Sequence, residues 1–586
     1  MDTRPTPTHN RLSLRPGDFS CLAEALDYAA TGDTGYNFYD GRGELSAVLT
    51  YSALREDARR FARKLSGLGL ERGARVALVA DTDPDFIRLF FACQYAGLAP
   101  VTLPASIHLG SHQAYVRQLR RLLTSSRADV VIAAAAFTPF LAEAAESLRL
   151  RFLGTAAEFA ERFEDHPALS PLQGEEVACI QYTSGTTRAV RGVVVTQRAL
   201  MSNLFAIVRH GIDVRPGDRA VSWLPFYHDM GFVGFVLAPM AAQISVDYLG
   251  TVEFAKRPQQ WLRLMSRTQA TISFGPSFGY ELCARRLRPA EASELDLRAW
   301  RVAGVGAEMI RPDLLERIAD LLAPSGFDRR AFVACYGMAE CSLAVSFAPL
   351  GAGIKVDRVD RQHLAEAGIA LPVDDTPDGD DSRVSTFVNC GVPLPDHDVE
   401  VRDDSGRSMP DRWCGTIFVR GPSVMSGYFE DPDATNDVLA ADGWLDTGDL
   451  GYRVDRSIVI TGRKKDLLII KGRNIWPQDL EAIAEQQPEL RTGAAAAFSV
   501  IDRLAGELAV MVVQCRVPDP EKRKELVQRL HGLILEEFGI HCLVELVPPH
   551  TLPRTSSGKL SRAGARARFL KSHDLGTHTS WRTSSR

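Results

Sequence analysis

The stretch from Val177 to Val195 constrains this chain most. An apolar run, Val177-Ala178-Cys179-Ile180, leads into Gln181-Tyr182-Thr183-Ser184-Gly185-Thr186-Thr187. Small side chains let backbone N–H groups close on a phosphate, and hydroxyls add donors. A Walker loop would need Gly-Lys-Ser/Thr leading straight into a helix. Here Gly192-Val193-Val194-Val195 reads as a second strand, so the pattern is strand–loop–strand. A helix is expected only later, over 197–209, with Thr196 as its N-cap. Taken alone, the loop also fits a Ser/Thr-rich surface turn.

The flanking sequence alternates strand and helix patterns. Positions 75–80 read as a buried strand. Positions 83–96 read as a helix, with Phe86, Leu89, Phe90, Cys93 and Ala96 at helical spacing, and 130–136 as another strand. This βαβ rhythm predicts a layered α/β fold with largely parallel sheets. At 586 residues, a chain of about 150 residues per domain has roughly four domains or subdomains. The 45% hydrophobic and 24% charged residues exclude a largely disordered chain.

A net charge of −5 argues against nucleic acid as a main partner and against purely electrostatic membrane recruitment. The longest apolar run, 231–242, is shorter than the roughly 20 residues of a membrane helix. The polar, Pro-rich 1–17 lacks the apolar centre of a signal peptide. Ten cysteines are scattered without a CxxC pair or metal spacing, so buried thiols in a reducing cytoplasm are expected.

Two segments differ in composition. Residues 351–386 are long and polar, with Asp374, Asp375, Asp378, Asp380 and Asp381, and read as a solvated loop. Residues 574–586, rich in Ser, Thr and Arg, read as a fraying tail. A domain boundary is expected near 461–466, where an apolar strand ends in Gly-Arg-Lys-Lys-Asp before Leu467 to Ile470.

The phosphate-loop wording resembles that of adenylate-forming enzymes: acyl-CoA synthetases, luciferases and peptide-synthetase adenylation domains. Six further motifs follow in the order of that superfamily. They are Trp223-Leu224-Pro225-Phe226-Tyr227-His228-Asp229-Met230-Gly231, Gly306-Ala307-Glu308, Tyr336-Gly337-Met338-Ala339-Glu340, Trp444-Leu445-Asp446-Thr447-Gly448-Asp449, Gly462-Arg463-Lys464-Lys465-Asp466 and Pro553-Arg554-Thr555-Ser556-Ser557-Gly558-Lys559. Within the superfamily the chain most resembles fatty acyl-AMP ligases, through Tyr227 to Gly231, through Gly472-Arg473-Asn474-Ile475-Trp476-Pro477-Gln478-Asp479, and through the extra segment between Glu340 and Gly391.

The chain departs from the general pattern at Arg188, Val190 and Arg191, where the superfamily usually has Gly, Pro and Lys. Some fatty acyl-AMP ligases share the first change and lack the Lys. The departures therefore read as branch variation, with a weakened ATP site as the alternative.

The resemblance implies a large N-terminal adenylate-forming domain, residues 1–462, of layered α/β subdomains plus a β-barrel-like part, with the insertion at about 351–386. A small mobile α+β C-terminal domain, 463–572, would carry the catalytic lysine, and 573–586 would be a flexible tail. The implied reaction joins a fatty acid and ATP into acyl-adenylate and pyrophosphate. A fatty acid is already ionised at pH 7, its pKa being near the Glu value of about 4.3. No general base is needed, and the difficulty is bringing an anion to the α-phosphate.

By the same resemblance, Thr183, Ser184, Gly185, Thr186 and Thr187 hold the triphosphate and Glu340 helps hold Mg²⁺. Gly306, Ala307 and Glu308 wall the adenine site, with Tyr336, Gly337 and Met338 beside it and Tyr336 stacking on the base. Asp449 takes the ribose hydroxyls with help from Arg463. Lys559 bridges the carboxylate and the α-phosphate, His228 stands at the acyl-phosphate end, and Lys465 is the hinge of the small domain. The segment 271–280 borders the acyl tunnel. On residue type alone, Lys559 also fits a solvated loop lysine and His228 a hydrogen-bonded core histidine.

The acceptor implied is the phosphopantetheine thiol of an acyl carrier protein, or of a carrier domain of a polyketide or peptide synthase. An acyl-CoA synthetase shares every adenylation motif. An amino-acid adenylation domain would place an Asp for the substrate ammonium, and Asp229 is the sole candidate in that motif. A non-catalytic adenylate-binding protein is the rival from another class, opposed by the intact Asp449, Arg463 and Lys559. Arg554, Lys559, Arg562, Arg566, Arg568 and Lys571 read as a basic docking face for an acidic carrier, or as a solvated basic helix.

Overall fold

The computed structural model describes residues 4–105, 112–166, 168–182, 191–374, 383–470, 473–491, 493–502, 506–555 and 559–573. Thr183 to Val190, most of the Asp-rich run and the tail from Asp574 lie outside the described residues.

Local sequence explains the main elements. The helix Pro84–Ala96 starts where the Asp83 side chain accepts from Asp85 N, and ends at Gly97 with φ +74°. The strand expected over 130–136 spans only Val130–Ile132. Its neighbour Phe152–Gly154 is also three residues long, and the alanines beyond Ile132 favour strands weakly. Thr196 caps the next helix, its Oγ1 accepting from Ala199 N at 3.2 Å. That helix is α-helical over Gln197–Ala206 and then widens into a π-helical segment, Ile207–Gly211. A second π segment, Val233–Leu237, lies in the apolar 231–242 run, which is buried within the molecule. Among the described residues no helix is long and apolar enough to cross a membrane.

Among the described residues the strands of the large domain form two main sheets. The seven-stranded sheet runs Gly427–Tyr428, Gly192–Thr196, Val177–Tyr182, Ala99–Leu103, Arg75–Val79, Val130–Ile132, Phe152–Gly154. Its inner pairs are parallel, while Val177–Tyr182 and Gly192–Thr196 are antiparallel with Gln181 opposite Val193. Residues 183–190 therefore join two neighbouring strands, as the strand–loop–strand pattern requires. The nine-stranded sheet centres on parallel strands, among them Arg219–Ser222, Ile272–Gly275, Val302–Val305 and Phe332–Gly337. Both sheets share one continuous apolar core.

The barrel-like part is the antiparallel sheet Asp398–Arg402, Gly415–Arg420, Leu445–Val454, Ser457–Arg463. Its last strand continues sideways through the Asn389–Val459 bridge. The chain then turns through Lys464–Asp466 into a small α+β domain with its own core. There a sheet of Ala495–Asp502, Gly506–Gln514 and Cys542–Val547 carries helices Pro477–Glu485, Pro520–Phe538 and Arg562–Ser572.

The polar segment 351–386 corrects the expectation of a solvated loop. It forms strand Val356–Asp360, helix Arg361–Ala367 and then strand Val384–Val388, paired in register with the first. Val359, Leu364 and Phe387 are buried against Tyr452, Val459 and Trp476. These apolar residues are spaced among acids, so average composition hid them. The segment also reaches the small domain. Arg361 forms an ion pair with Glu537 and lies 4.9 Å over the Phe538 ring, and Glu366 faces Arg473 at 3.8 Å.

Candidate active site

The two domains enclose a cavity of about 2150 Å³. It is lined by His228, Ala307, Glu308, Tyr336, Gly337, Met338, Glu340, Asp449, Arg463, Lys465 and Lys559. Six separate chain segments thus bring their motif residues to one space. Gly306 stands just behind the wall. A Cβ there would lie 2.7 Å from Cys335 Sγ and 2.8 Å from Cys335 O, so glycine permits the close packing of neighbouring strands.

Lys559 comes from the small domain and reaches the large one. Its Nζ lies 3.4 Å from His228 Nε2. His228 Nδ1 is in turn 2.5 Å from Asp229 Oδ1. Burial lowers the Lys559 pKa, with Asp229 and Glu308 working against that shift. Burial acts to raise Asp229, but His228 and then Lys559 outweigh it and hold the carboxyl below its ordinary value. A cation is therefore held near an imidazole, where a developing negative charge would be stabilised in a dry setting.

A second group surrounds Asp449. Tyr336 donates its hydroxyl to Asp449 Oδ2 at 2.7 Å, and Arg463 Nε faces Oδ1 at 3.1 Å. Burial raises the Asp449 pKa, and Arg463 opposes the shift. Strand pairing sets this geometry, since Asp449 and Arg463 are opposite each other on adjacent strands. Glu308 accepts from Phe278 N at 2.9 Å, and burial raises its pKa. Ala307 before it has φ +69°, a costly conformation for a residue with a Cβ.

Glu340 is also raised by burial, and its Oε1 accepts from Tyr428 OH at 3.0 Å. The Arg191 guanidinium sits 5.0 Å over the Tyr428 ring and lines the cavity. Tyr428 thus contacts both Arg191 and Glu340. Lys465 lies in the short turn between the domains and lines the cavity, and burial lowers its pKa. The phosphate-loop residues Thr183, Ser184, Gly185, Thr186 and Thr187, and with them Arg188 and Val190, lie outside the described residues.

A family model, that of the AMP-binding enzyme, matches residues 35–429. The chain belongs to the AMP-binding enzyme family. It is an AMP-forming ligase of the adenylate-forming fold. A Caulobacter vibrioides (strain NA1000 / CB15N) protein named "Putative acyl-CoA synthetase" is 46% identical, over 96% of this chain and 98% of its own. The medium-chain-fatty-acid–[acyl-carrier-protein] ligase JamA of Moorena producens (strain JHB) is 30% identical, over 96% of this chain and 97% of its own. A solved structure from work on fatty acyl-adenylate ligases of E. coli and L. pneumophila aligns with a TM-score of 0.90 at 46% identity. It covers 96% of this chain and 99% of that one.

In this AMP-binding enzyme the expected basic docking face is not one surface. Lys559 enters the cavity, and Arg562 is tied inside the small domain by Glu481 at 2.7 Å and Asp466 at 3.3 Å. Arg566 donates to Ser499 O and Arg568 to Thr551 O, though both remain exposed along with Lys571. Helical spacing predicts which side chains share a face. It does not reveal which face is buried, and Glu481, 81 positions away, decides that for Arg562.

Tyr428 escaped sequence reasoning: it donates to Glu340, and its Gly-Tyr context gives little local signal. Ser277, within the segment 271–280, opens helix Ser277–Arg286, and its Oγ is buried and has no partner among the described residues. The segment 271–280 does border the cavity, through Ile272, Phe274, Ser277 and Phe278.

Proposed function

We propose that this AMP-binding enzyme activates a fatty acid with ATP, giving acyl-adenylate and pyrophosphate, and then hands the acyl group to the phosphopantetheine thiol of an acyl carrier protein. The single observation carrying the reading is Lys559, brought by the small domain to His228 in a cavity that also presents apolar side chains such as Ile207, Phe235 and Phe274. The ionised carboxylate needs a cation between it and the α-phosphate. Lys559 supplies that charge, and His228 fixes the approach from the large domain. Asp449 offers acceptors to two ribose hydroxyls, oriented by Tyr336 and Arg463. Ala307 and Glu308 line the base side, and Thr183 to Thr187 carry the phosphates.

Magnesium fits this donor set. Glu340 is a buried carboxylate on the cavity wall, and no cluster of three His, Cys, Asp or Glu side chains suited to a metal occurs among the described residues. One carboxylate completed by substrate phosphates and waters is a usual Mg²⁺ arrangement. When bound, the ion neutralises phosphate charge. On the cavity wall, Arg191 offers a guanidinium fork for the released phosphates in place of the usual lysine. A cytoplasmic setting, with its supply of ATP, suits this chemistry.

The acceptor distinguishes two readings. The name of the 46% identical relative favours CoA. The name of the 30% identical relative and the packing of the inserted segment on the small domain favour a carrier protein, because a tied small domain turns less freely after adenylation. Asp229 is engaged by His228, which argues against an amino-acid substrate. The test is incubation with ATP, Mg²⁺ and fatty acids, with mass analysis for acyl-AMP and for transfer to CoA or to a holo carrier protein. Efficient acyl-CoA formation without carrier acylation would refute the carrier reading.

A further inference from the structure

Away from the charged groups, the cavity continues into a lobe walled by Ile207, Ile212, Phe235, Phe274, Leu343 and Phe347. None of the three phenylalanines is more than 8% exposed, so all three rings are buried. Their rings form a row. Phe235 meets Phe274 at 5.9 Å and 65°, and Phe274 meets Phe347 at 6.3 Å and 84°. Both are edge-to-face arrangements, which hold ring positions as well as burying area.

Phe347 ends the strand Ala344–Phe347 and is pinned from two sides. Its ring rests on Gly211, where a Cβ would come within 2.7 Å of Phe347 Cε2. Its carbonyl lies against Gly391, where a Cβ would come within 1.8 Å of the oxygen. Gly391 has φ +77°, so glycine serves both the turn and the close approach. A ring wedged this way does not swing aside easily in a close-packed interior.

The two π-helical segments also line the lobe, supplying Ile207 from the first and Gly234 and Phe235 from the second. Gly234 lines the lobe without a side chain, and a Cβ there would meet Leu343 Cδ2 at 3.3 Å. Polar groups are scarce at this end. The nearby Cys390 thiol is turned to Val388 O at 3.7 Å. The unpartnered Ser277 hydroxyl belongs to the other end, next to Phe278 and Glu308.

We infer that Phe347 is the specificity-determining floor of this lobe: it stops the methyl end of a straight, unsubstituted alkyl chain and so sets the chain length accepted. This rests on the fatty-acid reading above. A methyl terminus asks only for dispersion contacts, which the ring row supplies. A terminal hydroxyl or carboxylate would be left unpaired there and is excluded. Gly234 keeps the passage to the floor open.

The experiment measures acyl-AMP formation across straight-chain acids from hexanoic to octadecanoic, for the parent, Phe347→Ala and Gly234→Leu. Phe347→Ala should move the optimum to longer acids, with kcat/KM rising about fourfold for each newly accommodated methylene. Gly234→Leu should move it to shorter acids. The ω-hydroxy analogue of the parent's best acid should be a poor substrate. Unmoved chain-length profiles in both variants would overturn the floor. If Phe347→Ala fails to fold by thermal melting, an unmoved profile in Gly234→Leu overturns it by itself. A parent that makes acyl-AMP from no straight-chain acid overturns the fatty-acid reading as well.

Discussion

Lys559 Nζ and His228 Nε2, 331 residues apart in sequence, stand 3.4 Å apart across the domain interface. In the proposed reaction this contact would couple the position of the small domain to the chemistry, because a displaced small domain would take the cation away from the site where the carboxylate meets the α-phosphate.

Lys559→Ala should keep the fold and ATP binding but lower acyl-AMP formation by about 10²–10³, the usual cost of losing one donor at the point of charge build-up. The protonated amine is the active form, and burial lowers its pKa. The alkaline fall in the parent's rate should therefore come below the ordinary lysine value of about 10.4. Pyrophosphate exchange against pH checks both points, and normal exchange in the variant would remove Lys559 from the mechanism.

Arg361→Ala should loosen the inserted segment from the small domain, since Arg361 pairs with Glu537 and covers Phe538. A tie worth about 1 kcal/mol shifts a domain equilibrium about fivefold. Acyl transfer to CoA should rise by that order while acyl-AMP formation stays near the parent's. The point variant is cleaner than deleting 351–386, because deletion also removes Asp357, which holds Tyr452 at 2.6 Å and Arg412 at 3.1 Å. Unchanged CoA use would show that the segment does not restrain the domain.

Glu485 gives a pH-dependent contact between the domains. It accepts from Gly493 N at 2.5 Å and faces Arg311 of the large domain at 3.4 Å. Burial raises its pKa from 4.5 to about 7, with Arg311 opposing. A carboxyl raised on folding favours the folded state when protonated. That contribution is complete below about pH 4.5 and is lost as pH rises through about 7. Glu485→Gln stays uncharged, so its stability relative to the parent should grow over that window, by at most about 3 kcal/mol, and level off above it. Parallel melting curves at every pH would count against the assignment.

Arg562→Ala should destabilise the small domain by about 3–5 kcal/mol, because it leaves the buried Glu481 carboxylate without its bidentate partner. Thermal melting should show an early transition, and adenylation should fall with it, since Lys559 is three residues away. A melt identical to the parent's would show that the ion pair contributes nothing.

Much of this enzyme was legible before any fold was known. Thr196 was readable as an N-cap because capping is decided within four residues. Asp449 and Arg463 were readable as partners through their motifs, and strand register then placed them opposite each other. Less legible was 351–386, where acids are interspersed among the apolar residues, yet Val359 and Leu364, with Phe387 just beyond, build a core. In the basic helix, spacing along one element likewise carries no record of its neighbours: Arg562 is held by Glu481 while Arg566 and Arg568 stay exposed.

The sequence by itself determined the alternation of strand and helix, the caps and turns, and the chemical type of each motif residue. These depend on side chains within a few positions of one another, where backbone geometry is nearly constant. Only the tertiary structure decided that Arg562 is spent on Glu481 while Lys559 reaches His228. It also decided that the Phe347 ring rests on Gly211, and that Tyr428 reaches Glu340 in the cavity. Each of these rests on contacts between segments far apart in the chain. Burial and partner geometry exist only once the sheets have packed, and together they decide which of several similar side chains meets the substrate.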